Sequence, residues 1–208
     1  MDITHLGGLV VAYLLGSIPA AYIAGRMRGI DLRQHGSGNL GATNVYRVLG
    51  AKVAVAVFLF DAAKGALPVL FLPRLIAEGN PRLWALAYGL AAILGHVRPI
   101  FLLWKGGGKG VATSAGVFAA IAPLPALIAL TLWALVLKMS GYMSLASLTG
   151  AVTLPLAILL LDGIHNPILP VSVGVSAFVF WTHRANLGRL RRGEESRVTR
   201  GTRREEAR

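Results

Sequence analysis

The chain has 208 residues, of which 55% are hydrophobic and only 14% are charged, and its mean hydropathy is +0.63. A soluble domain of this size needs many more charged side chains on its surface, so the composition excludes an ordinary globular protein and indicates a membrane protein. The absence of cysteine excludes disulfides, thiolate metal sites and cysteine nucleophiles. The net charge of +12 comes from short basic segments between apolar runs, which is typical of membrane topology and an anionic substrate rather than of nucleic acid.

Six apolar runs are each long enough to approach or exceed the roughly 20 residues that cross a bilayer as a helix. They cover residues 3–25, 53–73, 83–104, 110–137, 139–161 and 163–182. The first has no basic segment before it, which predicts a retained helix rather than a cleaved signal peptide. The run over 110–137 is ambiguous, because Pro123 and Pro125 remove backbone donors in its middle and favour a break.

Positive charge decides how often this run crosses the membrane. A single crossing would separate the arginine-rich C-terminus from the basic loop over residues 26–52, whereas an even number leaves only Arg74 and Arg82 outside. We therefore predict an all-α integral membrane protein with seven transmembrane helices, its N-terminus outside and its C-terminus cytoplasmic. A re-entrant hairpin over 110–137 satisfies the same parity.

The change from apolar runs to a charged, arginine-rich segment predicts two domains. Residues 1–188 form the transmembrane domain and 189–208 a basic cytoplasmic tail. The tail has few apolar anchors, so we expect it to rest on anionic lipid and to be dispensable for chemistry beyond residue 194.

A glycine-rich polar loop follows the first run. It matches the spacing GxGxxG, but no β-strand precedes it, which argues against dinucleotide binding. Glycines allow backbone N–H groups to converge on an anion, and neutral donors with one arginine complete such a site. The alternative is a tight turn with helix caps. The anion-binding candidates are Gly36, Ser37, Gly38, Asn39, Thr43, Asn44 and Arg47.

A second glycine loop, KGGGKG over residues 105–110, precedes the fourth run. Leu103 and Gly110 stand where a Walker A motif requires Gly and Ser or Thr, so nucleotide binding is not supported. Two lysines on flexible backbone at a helix start still suit a phosphate, although they are also typical positive-inside markers. The candidates here are Lys105, Gly107, Gly108 and Lys109.

Ionisable groups within the spans need partners. Asp61 and Lys64 are three residues apart, so an internal ion pair and a substrate role are both open. His96 is interpreted as structural. At helix ends, Ser144 suits a helix cap, and His183 and Asn186 close the last run.

At these motifs the chain resembles the bacterial acyl-phosphate:glycerol-3-phosphate acyltransferases. The similarity extends from residue 16 to residue 186 and includes GSGNLGATN, DAAKG, the glycine–lysine loop, SLAS and HRAN. Two departures are the additional glycine in KGGGKG, which bears more on Lys105 than on Lys109, and Arg98 at a usually apolar position.

The resemblance implies transfer of an acyl group from acyl phosphate to the 1-hydroxyl of glycerol 3-phosphate, at the cytoplasmic face of the bacterial inner membrane. It implies membrane lipid as a partner, no nucleic acid, and neither metal nor other cofactor. Either His183 or a substrate phosphate oxygen serves as general base, and we favour the substrate. A transporter or channel for a phosphorylated anion is the alternative, which a one-sided distribution of cations and the absence of a visible repeat disfavour. The implied catalytic residues are Ser37, Arg47, Lys109, His183 and Asn186, and Ser144 joins the substrate-binding residues.

Overall fold

The computed structural model describes residues 3–76 and 79–198, and the regular secondary structure within these ranges is entirely helical. Residue 78, expected in an outer loop, and residues 199–208 of the predicted tail lie outside the described residues. The chain divides into two compact units, Met1–Ile121 and Ala122–Arg208, and each is described by itself. The predicted division into 1–188 and 189–208 stays a prediction.

The described part of the first unit contains six α-helices. The long helix α4 packs against α5 and α6, and α1 packs against α5. Two loops of this unit, between α2 and α3 and between α5 and α6, are the predicted glycine-rich segments. The helices are α1 (Ile3–Ser17), α2 (Ala20–Arg26), α3 (Ala42–Leu49), α4 (Ala51–Leu75), α5 (Pro81–Val97) and α6 (Val111–Ile121).

Glycines bring the helices of this unit into backbone contact. A Cβ at Gly16 would overlap the backbone of Ala92 on α5, and a Cβ at Gly116 would overlap the carbonyl of Ala62 on α4. Small residues at such crossings are typical of helices that associate in a membrane, where close van der Waals packing replaces the hydrophobic effect.

In the second unit, the residues up to 198 that the structure describes form four α-helices. Helix α8 packs against both α7 and α9, and α10 continues from α9 after His183. The helices are α7 (Pro123–Ser140), α8 (Met143–Asp162), α9 (Ile168–Thr182) and α10 (Arg184–Arg191).

The predicted break in the run over 110–137 is confirmed. Helix α6 ends at Ile121, and Pro123 occupies the first turn of α7, where its missing N–H costs nothing. The two pieces are unequal, with 11 and 18 residues, and α7 extends past Lys138. Gly141, in a left-handed conformation with φ of 74°, ends it instead.

Among the described residues, five apolar helical stretches are long enough to cross a bilayer. Helices α6 and α9 are apolar but shorter. The chain is therefore an α-helical membrane protein, while seven crossings and their orientation stay predictions. The five long stretches are Ile3–Arg26, Ala51–Leu75, Pro81–Leu102, Pro123–Ser140 and Met143–Asp162.

Candidate functional site

Asn44 organises the first glycine loop from beneath. Its side chain is fully buried, its Oδ1 accepts a 2.8 Å hydrogen bond from the Ser37 N–H, and its Nδ2 donates to the carbonyls of Leu32 and His35 at 3.2 and 2.9 Å. A Cβ at Gly36, where φ is +62°, would overlap Asn44 Oδ1. The amide is thus used within the protein and positions the Ser37 backbone, while the expected contact of Asn44 with substrate stays a prediction.

The other polar candidates of this loop lie nearer the surface. Ser37 and Arg47 are exposed, whereas Asn39 and Thr43 are half-buried. Beneath them Val45 packs in an apolar cluster with Leu32, Leu40 and residues of α2 and α4. The accessible polar side chains of this loop, which we call its rim, therefore lie on a packed apolar cluster.

An ion pair fixes the turn before this loop. The Arg33 guanidinium binds the Asp31 carboxylate with an Nη2–Oδ2 distance of 2.6 Å. Hydrogen bonds from the Arg33 side chain and backbone lower the pKa of Asp31 to about 2, so its carboxylate stays ionised at neutral pH.

The second glycine loop is packed onto the end of α5. The Gly108 N–H donates to the His96 carbonyl at 3.2 Å, and a Cβ at Gly107 would overlap the carbonyls of His96 and Val97. A Cβ at Gly108 would overlap Nε2 of the His96 ring. These two positions therefore have no room for a larger residue.

Aromatic side chains hold the start of this loop. Leu103 and Trp104 adopt left-handed conformations. Trp104 Nε1 donates to the Tyr13 hydroxyl at 2.8 Å, and that hydroxyl donates to the Arg98 carbonyl at 2.7 Å. The Arg98 side chain itself is exposed, which explains how a charge is tolerated there.

The two lysines of the loop differ in placement. Lys105 is exposed on the side of Gly106, while Lys109 is half-buried and directly follows the packed Gly108. The additional glycine is thus accommodated on the flexible Lys105 side, and the backbone before Lys109 is held by α5.

A buried charge cluster lies behind this loop. Lys64 Nζ is 2.7 Å from Asp61 Oδ1, which confirms the predicted ion pair, and it also donates to the Ile18 carbonyl at 2.8 Å, at the break between α1 and α2. His96 Nδ1 lies 3.5 Å from Asp61 Oδ1. None of the three side chains is more than 6% exposed.

A cavity of about 10 Å³ joins these features, which is about the room that one water requires. Leu40 of the first loop and Gly107 and Gly108 of the second line it together with the charge cluster. The structure thus brings both glycine loops of the first unit together over the buried ion pair. Among the described residues, no cluster of three or more His, Asp or Glu side chains is arranged to hold a metal.

In the second unit, His183 lies at the junction of α9 and α10 and is 4% exposed. Its Nδ1 is 2.9 Å from the Val179 carbonyl oxygen. A carbonyl only accepts hydrogen bonds, so Nδ1 carries the proton and, in the neutral ring, Nε2 carries the lone pair. This tautomer suits a general base.

Asn186 and Ser144 are both buried, and both approach a residue that the sequence did not single out. Asn186 Nδ2 donates to Glu195 Oε1 at 2.6 Å, and Arg189 Nε donates to Glu195 Oε2 at 2.7 Å. The Ser144 hydroxyl faces the same carboxylate outside good hydrogen-bond geometry, so it is the weakest of the three contacts.

These contacts set the charge state of Glu195. Burial, the largest influence, raises the pKa of the carboxyl group, but the hydrogen bonds from Asn186 and Arg189 and the nearby Ser144 hydroxyl outweigh it and leave the pKa below its usual value. Glu195 is therefore ionised at neutral pH.

The segment that follows Glu195 returns to the turn between α7 and α8. The Val198 N–H donates to the Gly141 carbonyl at 2.8 Å, and the Arg197 guanidinium lies 5.1 Å from the Tyr142 ring centroid. These contacts place residues 195–198 beside the start of α8 and Asn186, and the expectation that the chain beyond residue 194 is dispensable for chemistry stays a prediction. The three-residue spacing of 183, 186 and 189 was the available sequence signal for Arg189. Nothing in the sequence distinguished Glu195 from Glu194.

Comparison with known proteins agrees with this description. The family model for glycerol-3-phosphate acyltransferase matches residues 6–193. The chain is 45% identical over 188 residues to the glycerol-3-phosphate acyltransferase of Geotalea daltonii, covering 90% of this chain and 94% of that protein. It is 48% identical over 189 residues to that of Geobacter metallireducens, covering 91% and 95%.

Solved structures with the same fold include PlsY (YgiH), an integral membrane glycerol 3-phosphate acyltransferase. Its glycerol 3-phosphate form has a TM-score of 0.85 and 39% identity, and its lysophosphatidic acid form has 0.82 and 38%; each covers 93% of this chain and 94% of the other. Extended similarity of sequence and fold, together with the helical membrane architecture, shows that the chain is an acyltransferase that belongs to the glycerol-3-phosphate acyltransferase family.

Proposed function

We propose that the chain transfers an acyl group from acyl phosphate to the 1-hydroxyl of glycerol 3-phosphate, giving lysophosphatidic acid and phosphate for phospholipid biosynthesis. The observation that carries the proposal is the match, over nearly the whole chain, to a relative solved in both a glycerol 3-phosphate and a lysophosphatidic acid form. The glycine loops with their lysine and arginine rims suit phosphate groups.

The reaction requires no covalent enzyme intermediate. The oxygen of the 1-hydroxyl attacks the acyl carbonyl carbon, the bond from that carbon to the bridging phosphate oxygen breaks, and the electron pair leaves with phosphate. The hydroxyl proton ends on phosphate. Because a mixed anhydride already has a good leaving group, positioning and charge stabilisation supply the catalysis.

In the first unit, we assign the exposed Ser37 and Arg47 and the half-buried Lys109 to phosphate contact. Asn44 positions Ser37 through the backbone. Weaker backbone and side-chain contacts in this unit are assigned to Gly36, Gly38, Asn39, Thr43, Lys105, Gly107 and Gly108.

In the second unit, Asn186 and Ser144 bind substrate hydroxyl or phosphate oxygens, and His183 lies on the same helix end. The His183 tautomer supports a base at Nε2, while a phosphate oxygen of the substrate is the alternative acceptor that we favour. His183→Gln separates the two. A base should lose about 10²- to 10⁴-fold in kcat, and a positioning residue much less.

The proposed topology has seven crossings, an outer N-terminus and a cytoplasmic site in the bacterial inner membrane. Residues 36, 107 and 190 are expected on the cytoplasmic side and residue 78 on the outside. Gly36 and Gly107 have no room for a Cβ, so their exposed neighbours His35 and Lys105 replace them in the test. Because the chain contains no cysteine, single cysteines at residues 35, 105, 190 and 78 can be labelled with an impermeant reagent. Labelling of 35 and 105 from opposite faces would contradict the topology.

Donor specificity tests the function directly. Purified protein is incubated with labelled glycerol 3-phosphate and, separately, acyl phosphate, acyl-CoA or acyl-acyl carrier protein, and products are identified by mass spectrometry. Lysophosphatidic acid should form only with acyl phosphate. Equal turnover with a thioester donor would overturn the proposed donor, and uptake of glycerol 3-phosphate into proteoliposomes without any acyl transfer would favour a transporter.

A further inference from the structure

Arg189 lies on the face of α10 that carries the two substrate candidates of this helix end. His183, Asn186 and Arg189 are spaced three residues apart, which places successive side chains as neighbours along a helix. Asn186 and His183 are buried, while Arg189 is 40% exposed. The guanidinium therefore lies at the accessible end of this row.

A buried carboxylate holds the Arg189 guanidinium in place. Glu195 Oε2 accepts from Arg189 Nε at 2.7 Å, and Oε1 of the same carboxylate accepts from Asn186 Nδ2 at 2.6 Å. The two oxygens of one carboxylate thus set the guanidinium beside the Asn186 amide. Among the described residues no group binds Arg189 Nη1 or Nη2.

Arg192 provides an internal comparison. It makes a bond of the same kind, from Nε to Glu194 Oε2 at 2.7 Å, but its side chain and that of Glu194 are 60% and 56% exposed. The side chains of Arg189 and Glu195 are 40% and 4% exposed. Of these two arginines, Arg189 is the one that binds a buried carboxylate, and the same carboxylate also binds the substrate candidate Asn186.

We propose that Arg189 is a further phosphate-binding residue of this enzyme, which binds a phosphate monoester through its Nη atoms while Glu195 holds its Nε. This inference rests on the proposed function, since the phosphate is that of glycerol 3-phosphate or of acyl phosphate. A guanidinium that is already hydrogen-bonded through Nε loses little further side-chain entropy when its remaining N–H groups bind a ligand. Guanidinium also matches phosphate geometrically as a bidentate hydrogen-bond donor.

The test compares Arg189→Ala and Arg189→Lys with the matched control Arg192→Ala. KM and kcat are measured for each substrate in turn, in neutral detergent and in anionic nanodiscs, and binding of glycerol 3-phosphate is measured by calorimetry. Arg189→Ala should raise KM for one phosphate substrate about 10- to 100-fold. Arg189→Lys should recover only part of this loss, and Arg192→Ala should stay within about twofold of the wild type.

The substrate whose KM rises identifies the phosphate that Arg189 binds. Equal effects of Arg189→Ala and Arg192→Ala, a fall in kcat with both KM values unchanged, or an effect confined to anionic nanodiscs would overturn the inference, the last by assigning Arg189 to lipid headgroups. If Arg189→Ala does not remain folded, Arg189→Lys decides by the same criteria. If acyl phosphate is not the donor, the wild type will show no turnover with it. Calorimetry would then still show whether Arg189 contributes to the binding of glycerol 3-phosphate.

Discussion

The glycine loops of the first unit and the Ser144–Asn186 cluster of the second are shaped by different means. In the glycine loops, backbone packs directly against other groups: Gly107 contacts the backbone of α5 and Gly108 contacts the His96 ring. The buried Asp61–Lys64 ion pair lies next to them. In the second, side-chain hydrogen bonds converge on one carboxylate, Glu195. The stability and activity of the glycine loops should therefore be sensitive to added side-chain volume and to loss of one buried charge. The residues around Glu195 should be sensitive to loss of a hydrogen-bond partner.

The largest effect is expected from breaking the buried ion pair. Lys64→Met leaves the Asp61 carboxylate buried without its 2.7 Å partner, and removing one member of such a pair costs about 3–5 kcal/mol. Thermal unfolding in detergent should show a large fall in Tm. Lys52→Met, on the exposed start of the same helix, is the control. Equal Tm values for the two variants would mean that the pair does not stabilise this unit.

The next effect concerns the cations at the rim of the loops. Arg47→Ala and Lys109→Ala should each lower the rate about 10- to 100-fold, the value of a lost charge-assisted phosphate contact. Arg47→Lys should also be poor because an ammonium lacks the guanidinium fork. Lys52→Ala and Lys138→Ala serve as controls that should affect topology only. A similar small loss of rate in all four alanine variants would indicate that these charges act only through a diffuse electrostatic field. That result would contradict the assignment of Arg47 and Lys109 to the site.

Added volume tests the backbone packing of the first unit. Gly108→Ala places a Cβ against the His96 ring and should cost about 1–3 kcal/mol, as overpacking does, with loss of activity because Lys109 follows directly. Gly7→Ala, where a Cβ would meet nothing within 4 Å, is the control, compared by Tm and kcat. A fully active, stable Gly108→Ala would show that the loop does not depend on this contact.

The smallest effect is a pH dependence in the second unit. The folded-state pKa of Glu195 lies below its ordinary value of 4.5, so its contribution is present above that value and is lost as the pH falls through the lower folded pKa. Glu195→Gln should lower stability by about 1 kcal/mol at pH 7, and the difference from the wild type should shrink in acid. Glu194→Gln, at an exposed carboxylate, is the control. A gap that widens in acid would reverse the sign and contradict the ionised state.

Much of this architecture was predictable from the sequence because apolar length and proline position act locally. The break before Pro123 and the Asp61–Lys64 pair are set by rules that apply within one helix. The motifs around Ser37 and Lys109 identified the glycine loops. Helix ends were less accurate, as at Lys138, because Gly141 rather than the charge ends α7.

The rest depended on contacts between distant residues. From the sequence, Asn44 was predicted to donate to substrate. Its hydrogen-bond partners in the structure are backbone groups of residues 32, 35 and 37, and the spacing of residues in the sequence does not predict these contacts. Glu195 lies among tail residues whose composition indicates only a solvated, basic surface. Its burial follows from the return of the chain toward Gly141, shown by the hydrogen bond from Val198.

Oxygen tracing tests most directly whether the 1-hydroxyl of glycerol 3-phosphate attacks the acyl carbon. The enzyme is supplied with acyl phosphate and with glycerol 3-phosphate carrying ¹⁸O in its 1-hydroxyl, and both products are analysed by mass spectrometry. Attack by that hydroxyl on the acyl carbon predicts that the label stays in the ester of lysophosphatidic acid and that the released phosphate is unlabelled. Label in the released phosphate, or lysophosphatidic acid without label, would contradict the account.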